Sequence, residues 1–216
     1  MKNKKFSENN LYWLTLLVAV CFFLLFSGHL QLVVDFWSLF SSFLLVFLVI
    51  VLWLDPLWGQ LILNDLKERK GAKILIGLIS AVLLYGLFYG GNLLLGKFLI
   101  NKSEYLSSIY NLKIGSNSLR IGIFLALIIG PGEELLWRYF LQRRWAARIG
   151  QWPAMVLVAV LYAAVHLSTK NPVLVLAALV CGLWWGYQFL KFRSILANVI
   201  SHVLWDLMVF MLFPLV

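Results

Sequence analysis

The stretch from residue 36 to residue 54, FWSLFSSFLLVFLVIVLWL, contains no charged side chain. Wound as a helix at 1.5 Å per residue it reaches about 28 Å, close to the ~30 Å hydrocarbon thickness of a bilayer. Apolar runs of similar character recur at 11–27, 74–96, 120–141, 153–168, 172–190 and 194–213. Backbone polar groups have no water partner in lipid, so each run is expected to be a helix. The reading is an all-α, polytopic transmembrane helical bundle of about seven spans. Residues 57–66 leave room for an extra interfacial helix. Residues 97–118, rich in Ser and Asn and with Gly115, read as an outer loop with room for some helix.

Composition agrees with this over the whole chain. Hydrophobic residues make up 62%, charged residues 12%, and the mean hydropathy is +0.91. A soluble domain carries about 25% charged residues, so this chain cannot be covered by one water-facing surface. The net charge of +9 does not indicate nucleic acid, because the basic residues stand in short clusters between apolar runs. Lys2, Lys4 and Lys5, then Lys67, Arg69, Lys70 and Lys73, then Arg143, Arg144 and Arg148, then Lys191 and Arg193 fall in alternate loops. They outnumber Lys97, Lys102, Lys113, Arg120 and Lys170 on the other side, which puts the N-terminus inside and the C-terminus outside. Trp37, Trp53, Trp145 and Trp152 fall near span ends, where interfacial anchors belong. The run at 11–27 exceeds a signal-peptide core of about 7–15 residues and no small-x-small site follows it, so it reads as a retained span. Cys21 and Cys181 sit in apolar runs with no C-x-x-C pair, and no disulfide framework follows. No internal repeat is evident, which weakens a transporter reading.

Two regions are expected: 1–119, with three spans and the outer loop, and 120–216, with four. The ionisable residues divide the same way. Glu133, Glu134, Arg138, His166, His202 and Asp206 all lie inside the last four spans. Each costs at least a few kcal/mol at the bilayer centre unless paired or facing water, so each is a functional-site candidate. Glu134 and Arg138, four apart, share a helix face and suit an ion pair. Glu133 then lies about 100° round the helix with no intrahelical partner. Pro131, between Gly130 and Gly132, frees the carbonyl of Leu127 and should kink the span beside the glutamates. Asn198, His202 and Asp206 follow at steps of four on one face, so Asp206 is expected to bond His202 and fix its tautomer. His166 lies on a span whose Ala159 and Ala163 permit close helix approach.

These residues carry a resemblance. Glu133-Glu134-Leu-Leu-Trp-Arg138 resembles the E-E-x-x-x-R motif of the CPBP intramembrane proteases, which include the type II CAAX prenyl endopeptidases and the bacterial Abi proteins. Tyr162-Ala-Ala-Val-His166 is similar to their F-x-x-x-H motif, and His202-Val-Leu-Trp-Asp206 to H-x-x-x-[N/D]. The likeness covers roughly residues 120–213. It implies glutamate-dependent peptide hydrolysis without a metal or other cofactor. Glu133 with His166 would activate a water, His202 with Asp206 would stabilise the oxyanion, and Glu134 with Arg138 would hold their helix in place. Two departures stand out. Asp206 replaces an asparagine common in the family, and an ionised carboxylate cannot donate to an oxyanion; the amide of Asn198 is a candidate second donor. Tyr162 replaces phenylalanine, and its hydroxyl needs a partner if buried.

The implied partners are a peptide or membrane-protein substrate and the lipid bilayer, in a bacterial plasma membrane, with no nucleic acid. The competing readings are a zinc protease using His166, His202 and a carboxylate, a non-catalytic scaffold or immunity protein of the same fold, and a proton-coupled transporter. The zinc reading lacks H-E-x-x-H. A serine protease is disfavoured because no G-x-S-x-G occurs, although Ser201 adjoins His202.

Overall fold

The computed structural model describes residues 8–30, 34–55, 57–99 and 101–215, without the side chains of Glu8, Asn9 and Phe98. Lys2, Lys4 and Lys5, used above for orientation, lie outside the described residues. The described residues form helices and no strand. In chain order these are α1 (Glu8–Phe26), α2 (Phe36–Leu54), α3 (Leu57–Lys67), α4 (Lys70–Phe98), α5 (Lys102–Tyr110), α6 (Ser118–Ile149), α7 (Gln151–Thr169), α8 (Pro172–Phe192) and α9 (Ile195–Leu212). The all-α, polytopic bundle is the observed fold.

All seven expected spans are helical. Five of the helices, α2, α4, α7, α8 and α9, are long and apolar enough to cross a membrane. A sixth candidate is the pair formed by Lys102–Lys113 and Ser118–Ile149, bent by 94°. The apolar helix of α1 is shorter, and α6 carries the two glutamates and the arginine. By length and hydropathy alone the described residues give five spans, or six with the bent pair, where about seven were expected.

Side chains at the helix starts explain where the elements begin. Asp35 accepts the backbone N–H of Ser38 at α2, Asn117 that of Arg120 at α6, Asn171 that of Leu174 at α8, and Ser194 that of Ala197 at α9. Each satisfies a donor that the first helical turn leaves unpaired. Asp35 is also tied to Arg120 at 3.1 Å, joining α2 to α6. Its partial burial pushes its carboxyl up, but the Ser38 hydrogen bonds and the Arg120 charge outweigh that and hold it below the usual carboxylate range. Gly150, at φ +89°, makes the reversal from α6 into α7 in a backbone conformation that few other residues adopt.

Close approach of helices is written in small residues. At Gly77 of α4 a Cβ would fall 2.7 Å from Ile200 and 2.8 Å from the carbonyl oxygen of Ala197, both on α9. At Gly182 of α8 it would meet Ala159 of α7 at 3.1 Å. Such positions let backbones approach and gain dispersion contacts in lipid, where no hydrophobic effect separates helix from tail. The main core draws Leu11, Val18 and Phe22 of α1 and Phe40 and Leu44 of α2 against Leu136, Trp137 and Phe140 of α6. It thus runs through both the 1–119 and the 120–216 regions. The outward rows, such as Trp13, Leu17, Val49 and Val82, are apolar and exposed, as lipid-facing positions should be.

Candidate active site

The shape of α6 around Pro131 sets the site. Wide π-helical turns occupy Leu125–Ile129 and Glu134–Gln142, with one α-helical turn, Gly130–Glu133, between them. The expected kink thus takes the form of two widened turns flanking the proline, a feature found often at functional sites. Gly130 lies against Val203 of α9, where a Cβ would come within 2.8 Å of the valine side chain. That contact brings the glutamates of α6 directly onto the histidine face of α9.

Glu134 is wholly buried and fully engaged. Arg138 donates to its Oε1 at 3.0 Å, and the amide of Asn198 donates to its Oε2 at 2.8 Å. Nδ1 of His202 lies 2.8 Å from Oε1; a carboxylate oxygen accepts, so Nδ1 carries the proton. This corrects the expectation that Asp206 fixes the His202 tautomer. Asp206 reaches only Nε2, at 3.6 Å, beyond hydrogen-bonding range. The i,i+4 step on α9 puts the aspartate on the far edge of the ring, while Glu134 arrives on the near edge from α6. Glu133 Oε2 is also 3.6 Å from Nε2, so the outer nitrogen of His202 looks between two carboxylates and is fixed to neither.

The candidate role of Asn198 as an oxyanion donor is corrected too. Its amide nitrogen donates to Glu134 and to the carbonyl oxygen of Trp185, both at 2.8 Å, which uses both hydrogens on a fully buried side chain. Asn198 is a brace between α6, α8 and α9.

Glu133 is held differently. The hydroxyl of Tyr162 donates to its Oε2 at 3.1 Å, and its Oε1 has no hydrogen bond among the described residues. Tyr162, standing where the family motif has phenylalanine, thus supplies a partner for the glutamate that the spacing left alone. His166 lies on the short 3-10 turn Val165–Thr169 that ends α7. Its Nδ1 is 2.7 Å from the carbonyl oxygen of Tyr162, which can only accept, so Nδ1 bears hydrogen and Nε2 faces away with its lone pair.

Sequence reasoning missed the aromatic supports. Trp185 stacks face to face on His202, with ring centroids 3.7 Å apart and planes at 16°. Its indole N–H donates to Ser201, which donates on to Ser80 of α4. Phe26, at the end of α1, stacks on His166 at 4.1 Å. Neither residue has a motif that marks it, since contacts across helices leave no periodic trace.

Glu133, Tyr162, His166, His202 and Asp206 line one cavity of about 540 Å³. Its walls are otherwise mainly apolar, and it reaches the end of the bundle formed by Ser27–His29, Ser168–Asn171 and α5. Glu134, Arg138 and Asn198 stand behind it and do not line it. Among the described residues no group of three His, Cys, Asp or Glu side chains is placed to hold a metal ion.

Residues 115–208, somewhat under half of the chain, match the family described as Type II CAAX prenyl endopeptidase Rce1-like. No curated protein and no solved structure matches the chain.

Proposed function

With residues 115–208 belonging to this family of membrane proteases, we propose that the chain is an intramembrane endopeptidase that hydrolyses a peptide bond of a membrane-associated peptide or protein with a water activated by Glu133 and His166. The observation that carries the reading is the contrast between the adjacent glutamates. Glu134 is saturated by Arg138, Asn198 and His202, while Glu133 keeps one oxygen unbonded at the cavity wall.

In this mechanism Oε1 of Glu133 takes a proton from water as general base. Tyr162 holds the other oxygen, so the carboxylate cannot rotate away. His166 offers the bare Nε2 as a second acceptor for the same water or as a shuttle to the leaving amine. His202 as an imidazolium gives Nε2–H to the developing oxyanion while Nδ1–H stays on Glu134. Asp206 flanks Nε2 at 3.6 Å and offers it a negative charge without fixing it. The apolar walls suit a substrate with a lipid-like or strongly hydrophobic segment.

The test is cleavage of a panel of C-terminal peptides, prenylated and unprenylated, by purified protein in lipid nanodiscs. Cleavage that a chelator leaves unchanged is the expected result. Cleavage abolished by chelator and restored by zinc would assign the chemistry to a metal. Binding of the peptides without any turnover would make the chain a scaffold of the same fold.

A further inference from the structure

Asp65, nearly buried at the end of α3, accepts bonds from two separate turns. Lys73 reaches its Oδ1 at 2.9 Å, and its Oδ2 takes the backbone N–H of Leu196 at 2.9 Å and the hydroxyl of Ser194 at 3.3 Å. The α3–α4 turn and the α8–α9 turn are therefore clamped side by side. These turns carry Lys67, Arg69, Lys70, Lys191 and Arg193, all exposed, with Glu68 as the single exposed acid among them. Lys191 lies over the rings of Tyr187 and Phe192. Among the described residues the side chains of Arg69 and Arg193 make no hydrogen bond or ion pair; only their backbones are bonded, to Lys73 and Phe189.

The backbone at these two arginines is unusual. Arg69 has φ +44° and Arg193 φ +48°, the left-handed region where glycine is the cheap choice. A guanidinium is kept at both places even though no group among the described residues uses it. Strained conformations of this kind cluster at ligand clamps. Next to the turns, α3 is an 11-residue helix, too short to span, with Leu57, Leu61 and Leu63 exposed. A helix of this kind suits the boundary between headgroups and acyl chains.

We propose that the two turns clamped by Asp65 form a headgroup site for an anionic phospholipid of the inner leaflet, whose acyl chains lie along the exposed leucines of α3. Basic pockets between spans on the cytoplasmic side suit phosphate-bearing lipids, and the apolar face of α3 selects a lipid over a free anion. The inference rests on the membrane orientation and not on the peptidase reading. A lipid bound there ties α4 to α9, the helix that carries His202.

The test uses the full chain in phosphatidylcholine nanodiscs, with phosphatidylglycerol added and its retention read by native mass spectrometry. Arg69→Gly combined with Arg193→Gly keeps the left-handed backbone comfortable and removes both guanidinium groups. We expect the double variant to fold in phosphatidylcholine and to retain phosphatidylglycerol about thirtyfold more weakly than the parent. Wild-type protein should also gain thermal stability from phosphatidylglycerol and not from inorganic phosphate. Equal retention by parent and double variant overturns the proposal, as does an equal stabilisation by inorganic phosphate.

Discussion

Glu133 and Glu134 are neighbours in sequence and opposites in environment. Glu134 accepts from a guanidinium, an amide and an imidazole in a site closed to solvent. Removing its charge in Glu134→Gln leaves Arg138 buried without a counter-ion, which should cost about 3–5 kcal/mol and show as a large fall in the thermal midpoint. Tyr162→Phe tests the other glutamate. The ring keeps its place against Trp137, and only the hydrogen bond to Glu133 is lost. A bond to a charged group is worth enough that kcat should drop about tenfold with KM unchanged. A change in KM alone would mean that Tyr162 serves substrate binding and not the glutamate. The spacing of residues 133, 134 and 138 made this division legible in the sequence. That Glu134, and not Asp206, orients His202 was not legible, because it depends on how α6 and α9 approach.

At the scale of the element, that approach is set by glycines. Gly77 and Gly130 sit where a methyl group would collide with α9, whereas Gly86 and Gly90 of α4 face open space. Gly77→Ala should therefore destabilise the bundle by about 1–3 kcal/mol through overpacking, with Gly90→Ala close to neutral, both read as thermal midpoints in the same detergent. A loss at Gly90 equal to that at Gly77 would place the effect in the α4 backbone and not in the α4–α9 contact. The apolar runs located these helices, and Pro131 announced an irregularity in α6. It did not announce that the irregularity would be two π-helical turns. Hydrogen-bond register inside a helix responds to packing against its neighbours, and hydropathy does not encode it.

For the whole molecule, hydropathy alone was enough for an all-α membrane bundle, since lipid leaves the backbone few alternatives. It was less reliable on the number of spans. The α6 segment carries charges that lower its hydropathy, and these are the same charges that build the site. Glu133, His166, His202 and Asp206, from three separate motifs, line one cavity. The contribution of α1 through Phe26 lay beyond any motif. The proposed hydrolysis turns on Glu133 acting as the base. The most direct measurement is single-turnover cleavage of a membrane-anchored peptide by parent and Glu133→Gln protein in matched nanodiscs, with equal thermal midpoints verified first. A rate lower by about a thousandfold in the variant is expected; a folded Glu133→Gln protein that cleaves at the parental rate would contradict this role for Glu133.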